Sequence, residues 1–356
     1  MNLDAYNAAL NRSAVLLRDD RGLLEITGAD RAKWLNNLVT NVVLTLQPGE
    51  GNYAFVINVK GRTQFDLNYL IRPDSILLDI DRRLVEQARK FLDRYIITEA
   101  VEIHDRTATS QRIAIVGPKA HTIADTLGFP NLTPMAWLQH VDGRIGESTA
   151  QMFRHDSVGL PGAEFILFGD KAESDARHAL TLAHSSGAAA IDAGTLDALR
   201  IEAGIPKSVD DIDEEVIPPE TGQIERGINY RKGCYLGQEV IERMRAHKVL
   251  ARRLVGIRVE GETPLPRLTV LELAPAQAQD SAEPGDKAEA GDEAKSGATA
   301  HVGRAMSGCL SPALDGAPLS LAYLKTAHAK PGVALIARTP DGPRKAEVTP
   351  LPVRRN

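Results

Sequence analysis

The stretch that most constrains the fold covers residues 231–243, Arg-Lys-Gly-Cys-Tyr-Leu-Gly-Gln-Glu-Val-Ile-Glu-Arg. Gly233 and Gly237 bracket the lone Cys234, and residues 238–245 have the composition of a helix. This pattern predicts a loop that runs into a helix N-terminus, where unpaired backbone N–H groups and the helix dipole favour an anion. The rest of the chain is then expected to form a scaffold that presents this loop.

Cys234 is a candidate reactive thiol. Arg231 and Lys232 add positive charge on the other side of it, and such charge beside a helix N-terminus favours the thiolate. The alternative is a small buried hydrophobe in a tight turn, the usual environment of an unpaired cysteine. Cys309 lies far away in sequence, and without Cys-x-x-Cys or His-x-His spacing the chain indicates neither a disulfide framework nor a protein-held metal cluster.

The chain has 356 residues, 43% of them hydrophobic and 25% charged, enough for two or three packed units. A net charge of −5 and a pI near 6.0 do not suit a nucleic-acid coat, so we expect contact with tRNA to be weak or indirect. The N-terminus lacks the regions of a signal peptide, and no apolar run reaches membrane-spanning length. We therefore expect a soluble, cytoplasmic monomer that does not bind membranes.

Hydrophobic periodicity predicts two successive α+β units, at residues 1–110 and 111–249. The first has a strand at 23–27, a helix after residue 30, an antiparallel meander at 53–58, 63–71 and 75–80, a helix at 82–95 and a strand at 96–103. The second has strands at 113–116, 148–154 and 164–168 and helices at 119–127, 172–185 and 195–203.

Residues 250–356 predict a small β-barrel with strands at 253–259, 269–273, 318–324 and 333–338. Residues 307–312 resemble a turn in which Cys309 is structural. Residues 274–300 contain almost no large apolar side chain, and such a composition cannot offset its own ordering entropy. We therefore expect a disordered insertion there.

Residues 232–239, Lys-Gly-Cys-Tyr-Leu-Gly-Gln-Glu, match the K-G-C-[YF]-x-G-Q-E signature of the YgfZ-like proteins, which are relatives of the glycine-cleavage aminomethyltransferase, or T-protein. That family is described as folate-binding and as tied to iron–sulfur cluster maintenance and to tRNA modification that depends on such clusters. The resemblance implies an α+β fold in which two ferredoxin-like units surround a central folate pocket, followed by the C-terminal barrel.

A second motif, Leu-Arg-Ile-Glu-Ala-Gly-Ile-Pro at residues 199–206, resembles the R-x-E-x-G pattern of the wider aminomethyltransferase superfamily, whose glutamate is assigned to the pterin ring of folate. A carboxylate in the last turn of a helix is disfavoured by the dipole, by up to about one kcal/mol, unless something donates to it. The two-donor edge of a pterin would do so. The alternative is that Glu202 pairs with Arg200 or a lysine, or points to water; the downstream signature favours folate.

The sequence departs from true aminomethyltransferases at residues 61–66. Those enzymes carry adjacent carboxylates after a glycine pair, whereas here one glycine and Asp66 remain and Phe65 replaces the neighbouring carboxylate. The departure counts against glycine-cleavage chemistry, which needs a polarising carboxylate where the aminomethyl group is transferred.

The resemblance implies an accessory protein that binds tetrahydrofolate and uses Cys234 and Lys232 in iron–sulfur cluster assembly or repair, without classical turnover. Its partners would be iron–sulfur proteins, including tRNA-modifying enzymes. The residues assigned to folate are Asp66, Arg200, Glu202, Gln238, Glu239 and Arg243.

Two other functions remain open. One is a folate-dependent one-carbon transferase in which Asp66 or Glu202 orients the cofactor. The other is a tRNA-binding module that acts through a basic cluster. Such a cluster would hold either the anionic glutamate tail of folate or nucleic-acid phosphates, or it is merely a solvated basic face. The cluster comprises Arg243, Arg245, His247, Lys248, Arg252 and Arg253.

Overall fold

The computed structural model describes residues 2–247, 250–275 and 301–354. It forms two compact units: Met1–Leu199 with Lys207–Val249, and Arg200–Pro206 with Leu250–Asn356. Across the described ranges, none of the helices combines the length and the apolar character needed to cross a membrane.

The described residues contain both helices and strands. The helices are α1 (Leu3–Asn11), α2 (Arg31–Asn36), α3 (Val85–Asp93), α4 (Ala120–Thr126), α5 (Ala172–Ser185), α6 (Ala193–Glu202), α7 (Ile224–Gly227) and α8 (Gln238–His247). The strands are β1 (Ala14–Leu17), β2 (Arg21–Thr27), β3 (Gly51–Ile57), β4 (Thr63–Ile71), β5 (Ile76–Asp81), β6 (Glu102–Asp105), β7 (Ser110–Val116), β8 (His140–Ile145), β9 (Ser148–Arg154), β10 (Gly162–Phe168), β11 (Ala189–Ala190), β12 (Arg252–Val259), β13 (Val270–Leu273), β14 (His301–Ser311), β15 (Ala317–Lys325), β16 (Ala334–Thr339) and β17 (Gly342–Thr349).

The first unit contains two sheets. The five-stranded sheet has the order β3-β4-β5-β2-β6 and is antiparallel throughout, which confirms the predicted meander. The six-stranded sheet has the order β11-β1-β7-β10-β9-β8. Alternation along β4 sends Phe65 and Leu67 into the core beneath α2 and α3, whereas Asp66 and Asn68 lie on the opposite face. In the six-stranded sheet, Ile113 and Phe165 pack on α4 and α5.

Buried ion pairs join the polar faces of these two sheets. Arg112 donates to Asp79 of β5 through both terminal nitrogens and to Glu164 of β10 through Nε, at 2.5 Å. Arg18 reaches Glu164 at 3.2 Å, and Arg21 reaches Asp79 at 2.8 Å. Both carboxylates are almost completely buried, so their charges depend on these arginines.

The electrostatics of Glu164 follow from this arrangement. Burial by itself raises the pKa of Glu164, but attraction to Arg112, Arg18 and His155 outweighs burial and holds the pKa well below its usual range. The His155 Nδ1 atom lies 2.6 Å from the carboxylate. Glu164 is therefore an ionised group inside the protein.

The second unit contains a closed barrel with the strand order β12-β15-β14-β13-β16-β17. Its interior is filled by aliphatic side chains, among them Ile257, Leu271, Ala305, Leu324 and Leu335. The mixed α+β class and the closed C-terminal barrel are confirmed.

Two predicted elements are wrong in detail. Residues 96–101 are not a strand, because the Glu99 side chain accepts hydrogen bonds from the backbone of Ile97 and Thr98 and turns the chain. Residues 307–311 are not a turn but the end of β14, whose pairing with β15 shifts between Ala305 and Gly308. Residues 276–300 of the predicted insertion lie outside the described residues.

Replacing Glu164 with glutamine tests the ion network. Glu164→Gln leaves Arg18 and Arg112 with less compensating charge in a buried position, and we expect the free energy of unfolding at pH 7 to fall by about 3–5 kcal/mol in urea titrations. The exposed Glu173→Gln serves as the matched control and is expected to change it by less than about 0.5 kcal/mol.

The same pair of variants has a defined pH dependence. Because the pKa of Glu164 is depressed on folding, its contribution is present above the unfolded pKa of about 4.3 and is lost as the pH falls through the folded value. The wild type should therefore lose stability more steeply below about pH 4.3 than Glu164→Gln. Parallel curves would show that Glu164 does not carry the acid sensitivity.

Candidate functional site

The signature loop, residues 229–237, lies on the segment 36–41 that follows α2. The backbone N–H of Asn229 donates to the Thr40 carbonyl, and that of Leu236 donates to the Asn37 carbonyl, both at 3.0 Å. Two separate stretches of chain are thereby held side by side within the first unit.

Lys232 strengthens this attachment. Its Nζ donates to the carbonyl oxygens of Asn36 and Val39 at 2.5 Å and of Asn41 at 2.9 Å. Burial lowers the pKa of Lys232 to about 7, whereas the three carbonyls favour the ammonium, since only this form has three N–H donors. From the sequence, Lys232 was predicted to add positive charge beside the Cys234 thiol. In the structure, its ammonium group anchors the loop to the backbone carbonyls of residues 36–41.

The two glycines of the signature have different surroundings. Gly237 has a φ of +77°, and a Cβ at this position would overlap the carbonyl oxygen of Asn58. A Cβ on Gly233 would meet nothing within 4 Å. The close approach of the loop to the end of β3 therefore requires glycine at residue 237 but not at residue 233.

The loop leaves Cys234 exposed, four residues before α8 begins at Gln238. The exposure contradicts the alternative of a buried cysteine. Gln238 is half-buried, and its side-chain oxygen accepts from the Tyr235 backbone at 3.3 Å, whereas Glu239 and Arg243 are exposed on α8. The thiol is thus solvent-accessible on a loop that is fixed on both sides.

Asp66 lies half-buried on the polar face of β4. The hydroxyl of Tyr53 donates to its Oδ2 at 2.8 Å, and the hydroxyl of Ser208 hydrogen-bonds to its Oδ1. Both oxygens are therefore oriented by neighbouring side chains. Phe65 is buried in the helix-covered core on the other face, so it does not stand beside Asp66 in space.

A cleft of about 490 Å³ opens in the first unit. The Arg226 guanidinium lies 5.0 Å from the ring centre of Tyr53 and 5.4 Å from that of Trp137, and its Nε is buried without a hydrogen-bond partner among the described residues. Arg245 lies 4.4 Å from the ring centre of Tyr230. The lining residues are Asn41, Asn52, Trp137, Glu225, Arg226, Ile228, Asn229, Tyr230, Arg231 and Arg245.

Tyr53 connects this cleft to Asp66, because its ring contacts Arg226 and its hydroxyl contacts the carboxylate. The arrangement suits a ligand with flat rings and negative charges. Sequence reasoning missed Tyr53, Ser208 and Arg226, since their partners are distant in the chain and no spacing signals such contacts.

Arg200 and Glu202 belong to the second unit. Glu202 is fully buried. Its carboxylate accepts hydrogen bonds from the Ser311 hydroxyl at 2.6 Å and from the Ala313 backbone N–H at 3.1 Å. A carboxylate oxygen also lies 3.5 Å from Arg354 Nε. Arg200 donates to the Ile205 carbonyl at 3.2 Å. The assignment of Glu202 to a pterin stays a prediction, and a pterin would compete with these donors.

The predicted basic cluster is divided in the structure. Arg243, Arg245 and His247 are exposed on α8, Lys248 lies outside the described residues, and Arg252 and Arg253 belong to the second unit. Across the described ranges, no three His, Cys, Asp or Glu side chains are grouped so that they would hold a metal ion.

The fold is that of an aminomethyltransferase. Aminomethyltransferase T of the glycine cleavage system from Bartonella henselae superposes with a TM-score of 0.80 at 16% identity, over 99% of this chain and 89% of that one. The family model of the GCVT N-terminal domain matches residues 8–230, so the chain belongs to that family.

Proteins with similar sequences include aminomethyltransferases. The chain is similar to the aminomethyltransferase of Thermoanaerobacter pseudethanolicus, with 24% identity over 71% of this chain and 69% of the relative. It is also similar to the aminomethyltransferase of Chloroherpeton thalassium, with 26% identity over 90% of this chain and 82% of the relative.

The two signature glycines provide a matched test of the loop geometry. Gly237→Ala combines a positive φ with a clash against backbone, and we expect it to lower the free energy of unfolding by at least about 1–3 kcal/mol. Gly233→Ala meets open space and should stay within about 0.5 kcal/mol of the wild type. Urea unfolding of both variants measures the difference, and equal effects would contradict the described loop.

Proposed function

We propose that this protein binds tetrahydrofolate and transfers a one-carbon group. Membership of the GCVT family and the likeness to aminomethyltransferases support the reaction class. The observation that carries the proposal is the Asp66 carboxylate, which two hydroxyls orient and which Tyr53 links to a cleft rich in arginine and aromatic side chains.

The cleft fits the chemistry of tetrahydrofolate. Its volume of about 490 Å³ is in the range of small-molecule sites, and Trp137 and Tyr230 offer flat faces. Three of the lining side chains, Arg226, Arg231 and Arg245, provide guanidinium groups of the kind that bind carboxylates bidentately. The buried Nε of Arg226 is a donor that an anionic ligand would satisfy.

When bound, tetrahydrofolate supplies the nitrogen atoms to which one-carbon groups are attached. Asp66 provides the carboxylate that accepts a proton from, or stabilises positive charge on, a reacting nitrogen. Tyr53 and Ser208 hold both carboxylate oxygens in place, which reduces the reorganisation needed during the reaction. The positively charged guanidinium of Arg226 binds a negatively charged carboxylate of the ligand.

The proposal extends to one-carbon transfer but not to glycine cleavage. Asp66 has no adjacent carboxylate along β4, because the preceding residue is Phe65 and its ring is buried on the other face of the sheet. The aminomethyl-transfer site of the true enzymes is thus reduced to a single acidic group on this strand segment.

Asp66→Asn tests the proposal, since it keeps the shape of the side chain and removes its charge. We expect the hydrolytic release of the methylene group of 5,10-methylenetetrahydrofolate as formaldehyde, with tetrahydrofolate as the other product and water as the acceptor, to slow by about 10²-fold or more in single-turnover assays. The dissociation constant of tetrahydrofolate, measured by calorimetry, should change by less than about threefold, because Arg226 and the aromatic side chains remain.

Asp125→Asn, on the exposed face of α4, is the matched control and should behave as the wild type. Folate binding without turnover in the wild type would count against the transferase and leave an accessory role. Absence of folate binding would count against both.

A second candidate function is supported by Cys234. We propose that the protein instead uses this thiol in the assembly or repair of iron–sulfur clusters and so supports tRNA-modifying enzymes that depend on them. The supporting observation is the exposure of Cys234 on a loop anchored by Lys232 and Gly237. Thiolates are strong ligands of iron, and an accessible thiol is able to engage a partner protein.

Three variants test this second candidate. Cys234→Ser and Cys234→Ala remove the soft sulfur from an exposed position, so the thermal midpoint and folate affinity should match the wild type while the activity of an iron–sulfur tRNA-modifying enzyme in cells falls. Cys309→Ser, on β14, controls for loss of a thiol elsewhere. Full cellular activity of both Cys234 variants would remove the thiol from the function.

A further inference from the structure

A second, smaller cavity of about 100 Å³ lies in the first unit beside the ion network. Four of its lining side chains are arginines, which makes it a candidate anion site. The charged lining residues are Arg18, Arg21, Arg82, Arg112 and Asp19.

In two of these arginines all three nitrogens already donate to carboxylates. Arg18 directs Nε and Nη2 to Asp20 and Nη1 to Glu164. Arg112 directs Nε to Glu164 and both terminal nitrogens to Asp79. They surround the cavity with fixed positive charge but are already committed to carboxylates.

Arg21 and Arg82 differ from them. The Nε of Arg21 donates to Asp79 at 2.8 Å, and its two terminal nitrogens have no hydrogen-bond partner among the described residues, although only 15% of the side chain is exposed. Arg82 is exposed and donates through Nη1 to the Asp19 carbonyl at 3.3 Å. The two terminal nitrogens of Arg21 are therefore unpaired donors beside the cavity, and water or an anion there can accept from them.

We propose that this cavity binds a free tetrahedral oxyanion, phosphate or sulfate, through the terminal nitrogens of Arg21 and the guanidinium of Arg82. Guanidinium forks match the spacing of oxyanion oxygens, and the volume holds one such ion but no nucleotide. The charges of Arg18, Arg21 and Arg112 are offset by Asp20, Asp79 and Glu164. Arg82 therefore supplies the positive charge that would attract an anion to the cavity, and the negative charge of Asp19 would repel the same anion.

This site is separate from the folate proposal, since the cavity and the cleft have no lining residue in common. The test is calorimetric titration of the full-length protein with inorganic phosphate at constant ionic strength. We expect saturable binding that sulfate displaces and that chloride does not. Glycerol phosphate should bind at least tenfold more weakly, because the ester group has no room; equal affinity would overturn a free-ion site in favour of a phosphomonoester.

Two exposed substitutions give opposite expected signs. Arg82→Gln should weaken phosphate binding by about tenfold or more, since it removes a charged donor. Asp19→Asn should tighten binding severalfold, because it removes the opposing carboxylate. Both residues are exposed, so the thermal midpoint in phosphate-free buffer should not change.

Arg89→Gln, an exposed arginine on α3, is the control and should leave the phosphate affinity unchanged. Absence of saturable binding by the wild type would overturn the proposal and leave a cavity filled with water. Binding that is equal in Arg82→Gln, Asp19→Asn and the wild type would overturn it as well, because the phosphate would then lie elsewhere on the protein.

Discussion

The sharing of Arg112 between Asp79 and Glu164 is the interaction on which the first unit depends. The arginine belongs to one sheet and Asp79 to the other, so their ion pair crosses between the polar faces of both sheets. A buried ion pair adds little net stability compared with apolar packing, but leaving one of its charges unpaired is costly. The network therefore acts mainly as a constraint on how the two sheets are placed.

The five-stranded sheet shows how one strand pattern serves both stability and chemistry. Its helix-covered face buries Phe65 and Leu67, and the alternate positions, Asp66 and Asn68, face the other sheet. Asn68 donates to Asp79 at 2.8 Å, so a group beside Asp66 belongs to the ion network. A one-residue shift in strand register would exchange these two faces, which ties the candidate site to the core packing.

Local patterns in the sequence were sufficient for most elements and insufficient for the site. The strands at 63–71 and 148–154 and the helix at 172–185 have the predicted bounds, because alternation and helical periodicity are local signals. The anchoring of Lys232 was not predictable, since its acceptors are backbone carbonyls and these have no sequence signature. Arg226 and Ser208 were missed because their partners are brought near only by the tertiary fold.

The signature residues separate into those that hold the loop and one that is presented by it. Lys232, Leu236 and Gly237 each contact the backbone of the segments near residues 36–41 or 58, and Tyr235 is buried. Cys234 alone among these neighbours combines a chemically reactive side chain with exposure. An exposed thiol is open to oxidation, which a serine at the same position would avoid. The loop therefore holds the Cys234 side chain at an exposed position between residues that contact the backbone of neighbouring segments.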